Sequence, residues 1–431
     1  MTLFRSRKLL LLLPLLSATA AHADWSQRTL AGMQVQLYTP QSMGSYASGR
    51  GLMIGLHGCT QQATALAQHG NWEAAAERRG VVVALPQVPN GGVIAGCWDY
   101  YGANHTRTTR HDGPVLNLVT ALLGDAGLNI DPDQVYVSGL SSGAGEAMVL
   151  GCLAPDVFAG VGVNAGPTIG TSSGEISTVS TDRVTAVRDC KAVAGRSSAD
   201  FDTQLYSVIA GTSDFLVAQG YAALDAEVMR TIYEDGQGAF QSAPIDVPQL
   251  IGSMPQGTGT LWSDASGPRV SLIMVQGMGH AFPAGTGTGA EMSFIAQRGP
   301  SWPDYLLDLF TLHNRRVSGT PRVDAGTPRV DAGSAPADAG FVLRDGGLVA
   351  ADAAPPHDAG PGADRGMGSD PDAGLASVDG AAADPDGGSG DPDMKGGCGC
   401  NSSGSGLSAV AGGAALFLPG LLLRRRARRA A

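Results

Sequence analysis

Hydrophobic positions along the chain gather into short, nearly unbroken runs, separated by stretches with helical spacing. Met33 to Leu37 alternates as an early strand does. Gly51 to Leu56 (GLMIGL), Val81 to Leu85 (VVVAL), Val135 to Ser138, Gly160 to Asn164, Tyr206 to Ala210 and Val270 to Val275 (VSLIMV) are the compact apolar runs of buried strands. Between and after them, helices are expected at Trp72 to Arg79, His111 to Leu123, Ala144 to Leu153, Ala218 to Tyr233 and Trp302 to His313. Alternation of this kind predicts an α/β fold with a mostly parallel sheet and helices on both faces. Ligands of such sheets sit beyond the carboxyl ends of the strands. His57, Ser141, Asp214 and His280 each fall just past one of these ends.

The pattern changes character outside residues 24–316. The first 23 residues join Arg5, Arg7 and Lys8 to a leucine-rich run and an Ala-His-Ala site, the layout of a secretory signal peptide. Residues 317–395 repeat TPRVDAG and then place Asp at every seventh position, from Asp324 to Asp352. Pro and Gly interrupt this segment and no apolar seam runs through it, so a disordered, extended linker is expected. Residues 396–431 carry Cys398 and Cys400, an apolar run from Leu407 to Leu423 and then five arginines. Seventeen residues just suffice for one C-terminal apolar helix across a bilayer, with the arginines inside. This segment resembles the C-terminal sorting tags of myxobacterial surface proteins. The resemblance implies sorting or processing machinery as a partner, a membrane anchor, and an extracellular protein held at the cell surface or released after processing.

The net charge of the chain is −11. The linker and the 24–316 body are both acidic, which argues against nucleic acid as a partner.

The chemistry centres on Gly139-Leu140-Ser141-Ser142-Gly143, a G-x-S-x-G. Glycine supplies 62 of the 431 residues, so the bare pattern says little. Its setting says more: a β-branched run precedes it and helix formers follow, as in a nucleophile elbow. Ser141 is the expected nucleophile. A serine hydroxyl needs a base and a group to orient that base. Of the eight histidines, His280 follows the last strand through a glycine-rich turn and is the expected base. Asp214 follows a strand between the elbow and His280, which gives the chain order Ser, Asp, His of α/β-hydrolases. The oxyanion hole requires two aimed N–H groups. They are assigned to Ser142 and to Cys59, in the loop after the early strand, with His57 shaping that loop.

LHGCTQ at 56–61, CWDYY at 97–101, GLSSGA at 139–144, GTSD at 211–214 and GMGHAFP at 277–283 stand in the order found in the esterase/polyhydroxybutyrate-depolymerase family, which the domain resembles. The resemblance implies the α/β-hydrolase fold and a Ser141–Asp214–His280 triad working through an acyl-enzyme, with no metal and no cofactor. Cys59, Cys97, Cys152 and Cys190 admit three pairings. The resemblance implies Cys59–Cys97 and Cys152–Cys190. His57, Trp98, Tyr101 and Phe282, with Tyr100 and Trp262, are expected to line an apolar pocket for an ester substrate. Polyester oligomers and feruloyl or acetyl esters of plant polysaccharide both suit the family. A catalytically silent surface adhesin on the same scaffold is the reading from another class, and a peptidase is a third.

Overall fold

The computed structural model describes residues 24–321, apart from 173, 236 and 289–293, together with the backbone of two short paired segments near residue 345. The expected signal peptide, nearly all of the expected linker and the C-terminal apolar run lie outside the described residues. Among the described residues no helix is long and apolar enough to cross a membrane.

The chain begins with an antiparallel pair, β1 (Trp25–Leu30) and β2 (Met33–Tyr38). β3 (Arg50–Leu56) leads through α1 (Ala63–His69) and α2 (Trp72–Arg79) to β4 (Val81–Pro86). Next come α3 (Asp112–Leu123), β5 (Ile130–Leu140), α4 (Ser142–Leu153) and β6 (Gly160–Asn164). α5 (Arg183–Ala194), β7 (Leu205–Gly211), α6 (Gly220–Glu234) and β8 (Gln241–Ile245) follow. β9 (Gly252–Ser253), β10 (Gly257–Asp264) and β11 (Gly267–Val275) lead to three two-residue strands, β12 (Phe282–Pro283), β13 (Ile295–Ala296) and β14 (Gly299–Pro300). α7 (Trp302–Leu312) closes the domain.

Ten strands form one sheet in the order β1-β2-β4-β3-β5-β6-β7-β11-β10-β8. The six from β4 to β11 are parallel, and both edges are antiparallel. This is an α/β-hydrolase-like arrangement. Every residue of β4, β6 and β7 is buried, because helices cover both faces, and that is why these strands read as unbroken apolar runs. Each predicted strand and helix is present.

The elements without a prediction have weak patterns. β10 (GTGTLWSD) lies near a sheet edge and buries only Leu261. α5 buries only Ala186, Cys190 and Ala194, a narrow stripe of small side chains. Its start is nonetheless firm, since Asp182 caps it by accepting the Val184 and Thr185 N–H groups.

Two disulfides join Cys59 to Cys97 and Cys152 to Cys190, the pairing expected. Such bridges belong to an oxidising compartment and fit an extracellular protein.

Candidate active site

The turn from β5 into α4 holds Ser141 at φ +58°, ψ −119°, a conformation that non-glycine residues rarely adopt. Two glycines make that turn possible. A β-carbon on Gly139 would lie 2.2 Å from the Gly143 backbone, and one on Gly143 would lie 2.4 Å from the Leu56 carbonyl oxygen. The Ser141 N–H donates to the Asn164 carbonyl, which fixes the turn to β6. Ser141 is half-buried at the first turn of α4, where the helix dipole favours negative charge.

The loop after β3 abuts the elbow. A β-carbon on Gly58 would sit 3.4 Å from that of Ser141. The Gly58 N–H is taken by Gln61 Oε1 and the Thr60 N–H by the Ala95 carbonyl. Among the described residues, the Cys59 and Ser142 N–H groups make no hydrogen bond. They are therefore free to donate where charge develops, as an oxyanion hole requires.

One residue fastens both halves of this arrangement. The Trp98 indole N–H donates to the His57 carbonyl at 2.9 Å, and the Trp98 backbone N–H donates to Ser142 Oγ at 3.3 Å. Asp99 is held in turn by a two-pronged Arg110 ion pair and by its own N–H donating to His111 Nδ1. The sequence places Trp98 near the site but carries no sign of this bracing role.

Asp214 and His280 meet as expected. Asp214 Oδ2 lies 2.7 Å from His280 Nδ1, so the ring donates there and leaves Nε2 free to accept a proton. Asp214 Oδ1 accepts the Leu216 and Val217 N–H groups, which aims the carboxylate. The two loops are laced together. The Thr212 N–H donates to the Val275 carbonyl, the Ser213 N–H to the Met278 carbonyl and the Gly277 N–H to Thr212 Oγ1. A β-carbon on Gly211 would lie 2.0 Å from the Met278 carbonyl oxygen, so the glycine of GTSD is what lets the His280 loop approach the Asp214 loop.

Ser141 Oγ and His280 share no hydrogen bond in this structure. Both stand on the same rim of the sheet, beyond β5 and β11. Catalytic hydrogen bonds are often long before substrate closes the site.

Three residues expected in the pocket lie behind it instead. His57, Trp98 and Phe282 are 0%, 0% and 1% exposed, so no substrate reaches them here. His57 Nδ1 donates to the Gly58 carbonyl and Nε2 accepts the Val88 N–H, which makes it a neutral loop pin, and burial lowers its pKa. Phe282 packs on Trp72. Tyr100 is buried against Gly145, while Tyr101 beside it is half-buried. Trp262 pairs with Val270 at the far end of β11 from His280, outside the site. Short motifs show which residues are near the site but not which way each side chain faces.

The rim has other apolar residues, which the sequence reading did not single out. Phe215 and Leu216 follow Asp214 and are exposed. Exposed Phe294 meets the His280 ring edge-on at 5.9 Å. Exposed Val93 and Ile94 lie in the loop tied to Cys59 through Cys97. Among the described residues no cluster of His, Cys, Asp and Glu is arranged to hold a metal.

Comparison with known proteins gives a consistent setting. Residues 34–231 match the family described as Esterase PHB depolymerase. The chain is 38% identical over 326 residues to a poly(3-hydroxybutyrate) depolymerase of Ralstonia pickettii, covering 71% of this chain and 65% of that protein. It is 30% identical over 266 residues to poly(3-hydroxyalkanoate) depolymerase C of Paucimonas lemoignei, covering 60% and 61%. Acetylxylan esterase A of Aspergillus ficuum is 29% identical over 144 residues, covering 32% of this chain and 44% of that protein. The chain thus spans less than two thirds of the length of these curated relatives.

Proposed function

We propose that this chain is an exported serine carboxylic-ester hydrolase of the esterase/polyhydroxybutyrate-depolymerase family, and that its substrates are hydroxyalkanoate polyesters or their oligomers. The observation that carries the reading is the Asp214–His280 pair at 2.7 Å on the rim where Ser141 stands in its strained turn. Ser141 Oγ attacks the ester carbonyl while His280 Nε2 takes its proton. Asp214 holds the imidazolium that forms. The N–H groups of Cys59 and Ser142 receive the oxyanion, a task usually worth about 3–4 kcal/mol of barrier per donor. His280 then returns the proton to the departing alkoxide. Water, activated by the same imidazole, frees the acyl group. None of these steps draws on a metal or organic cofactor.

The exposed apolar rim of Phe215, Leu216, Val93, Ile94 and Phe294 supports an apolar ester as substrate. The alternative, an acetyl ester on plant polysaccharide, is supported by the likeness to an acetylxylan esterase. On the same proposal, residues 1–23 direct export, 24–316 are the catalytic domain, 317–395 a stalk and 396–431 a sorting tag and membrane anchor.

A fluorophosphonate probe tests the enzyme reading. Labelling of the wild type but not of Ser141→Ala supports it, and absence of labelling in both leaves the silent adhesin. Rates on hydroxybutyrate oligomers, methyl ferulate and acetylated xylan then separate the substrates. Faster turnover of acetylated xylan than of the oligomers would replace the polyester reading.

A further inference from the structure

His280 forms one wall of a cavity of about 540 Å³ that Ser141 does not line. Met254, Phe294, Gln256, Gln276 and Arg298 contribute other parts of its lining. Arg298 is exposed and has no ion pair or hydrogen bond among the described residues. That is unusual in this domain. Of the other lysines and arginines between 24 and 321, all but Arg196 are tied to a carboxylate or a backbone carbonyl. An unpaired guanidinium lining the same cavity as the expected general base, in an acidic domain, is a place for an anion.

Its backbone is fixed on both sides. β13, just before it, pairs with β12, and the Phe282 N–H donates to the Phe294 carbonyl. β14, just after it, pairs with β9. The side chain is free while its base is held, as suits a group that must meet a ligand.

The chemistry of ester cleavage says which part of a substrate this cavity receives. When the acyl C–O bond breaks, Ser141 keeps the acyl group and the oxygen leaves with a proton from His280. The leaving group therefore departs against the imidazole, which is also a wall of this cavity. In an ester between two hydroxy acids, the leaving alcohol is the part that runs toward the carboxyl end of the chain. Near that end it carries a free carboxylate. We infer that the cavity is the leaving-group subsite and that Arg298 binds the terminal carboxylate of a hydroxyalkanoate oligomer. A guanidinium receives a carboxylate through two parallel hydrogen bonds. The carboxamides of Gln256 and Gln276 supply further polar groups, and Met254 and Phe294 take the methyl and methylene groups. The enzyme then favours cuts that release a short hydroxy acid from the carboxyl end.

This inference rests on the esterase reading but is tested apart from it. The 3-hydroxybutyrate trimer is offered as the free acid and as its methyl ester, which lacks the negative charge. The wild type should favour the free acid by about tenfold in kcat/KM, the effect of roughly 1.4 kcal/mol. Arg298→Gln should bring the ratio of the two substrates close to one, and Arg298→Lys should keep part of it. The preference should shrink as salt rises. Equal kcat/KM for both substrates in the wild type, or a preference that survives Arg298→Gln, overturns the subsite. Hydrolysis of neither substrate overturns the esterase reading and the subsite with it.

Discussion

The two disulfides close loops of the same length, 38 residues apart in each case, yet they serve opposite ends of α4. Cys152 lies near the carboxyl end of that helix and ties it to α5, in the buried core. Cys59 lies opposite the amino end, where Ser141 turns into the helix, and ties the loop after β3 to the segment that carries Trp98. By loop length alone the two contribute alike, about 4 kcal/mol each in the chain-entropy picture. Their places in the fold separate what they do. One ties two helices in the core, and the other, on the proposed mechanism, holds the Cys59 and Ser142 N–H groups in register with Ser141.

Removing each bridge in turn gives the largest separation. Cys59→Ala with Cys97→Ala should lower kcat by about 10²-fold, the usual loss when one oxyanion donor is misplaced. Cys152→Ala with Cys190→Ala should lower stability by up to about 4 kcal/mol and leave kcat of the folded protein near wild type. Denaturant midpoints and steady-state rates, measured well below either unfolding transition, read the two effects separately. If both pairs lower kcat alike once folding is accounted for, the division of labour is wrong.

Trp98 sharpens the same comparison without touching either bridge. Trp98→Phe keeps an aromatic ring in a fully buried site but deletes the N–H that holds the His57 carbonyl. kcat should fall by about tenfold with KM little changed, since a misplaced oxyanion hole weakens the transition state alone. Affinity for a phosphonate transition-state analogue should fall in step. A rise in KM with kcat intact would instead mean that Trp98 shapes ground-state binding.

The contrast between the two ends of α4 also shows what a sequence can carry. The inner strands and the helices that cover them follow from apolar runs, because a strand buried on both faces leaves no polar position to blur the signal. Ser141, Asp214 and His280 could be singled out because each follows the end of such a run, and the structure brings the last two into contact. The orientation of side chains around them was not legible. His57, Trp98 and Phe282 stand in site motifs and yet face inward. Phe294 and Arg298, which face the cavity, flank a two-residue strand too short to leave a periodic trace. Direction within a loop is set by partners distant in the chain, such as the β12–β13 and β14–β9 pairs.

Between its two ends α4 carries Glu146, and here the smallest effect is expected. Glu146 is fully buried, and among the described residues no N–H or hydroxyl group donates to its carboxyl, whose hydrogen-bonding neighbour is Asp112. Around it lie Asp112, Asp99 and Arg110, while His105 pairs with Asp112 at 2.9 Å. Burial first, and then the neighbouring Asp112, push the Glu146 carboxyl well above its usual range. The folded protein thus keeps a proton that the unfolded chain gives up near the ordinary glutamate pKa of about 4.3. Below that value this group adds no pH dependence. Above it, stability falls as pH rises, until the buried group ionises, because the folded state binds more protons than the unfolded one. Glu146→Gln keeps the shape, can donate to Asp112 Oδ1, and should flatten that slope. At alkaline pH it should gain about 1–3 kcal/mol, the range associated with an unsatisfied buried polar group. Part of the slope should persist through Asp225, a second buried carboxyl raised by burial despite the hydrogen bond it accepts from Thr168. Denaturant unfolding of both proteins from pH 4 to pH 9 measures it, and parallel curves for wild type and variant would show that Glu146 holds no proton in the folded domain.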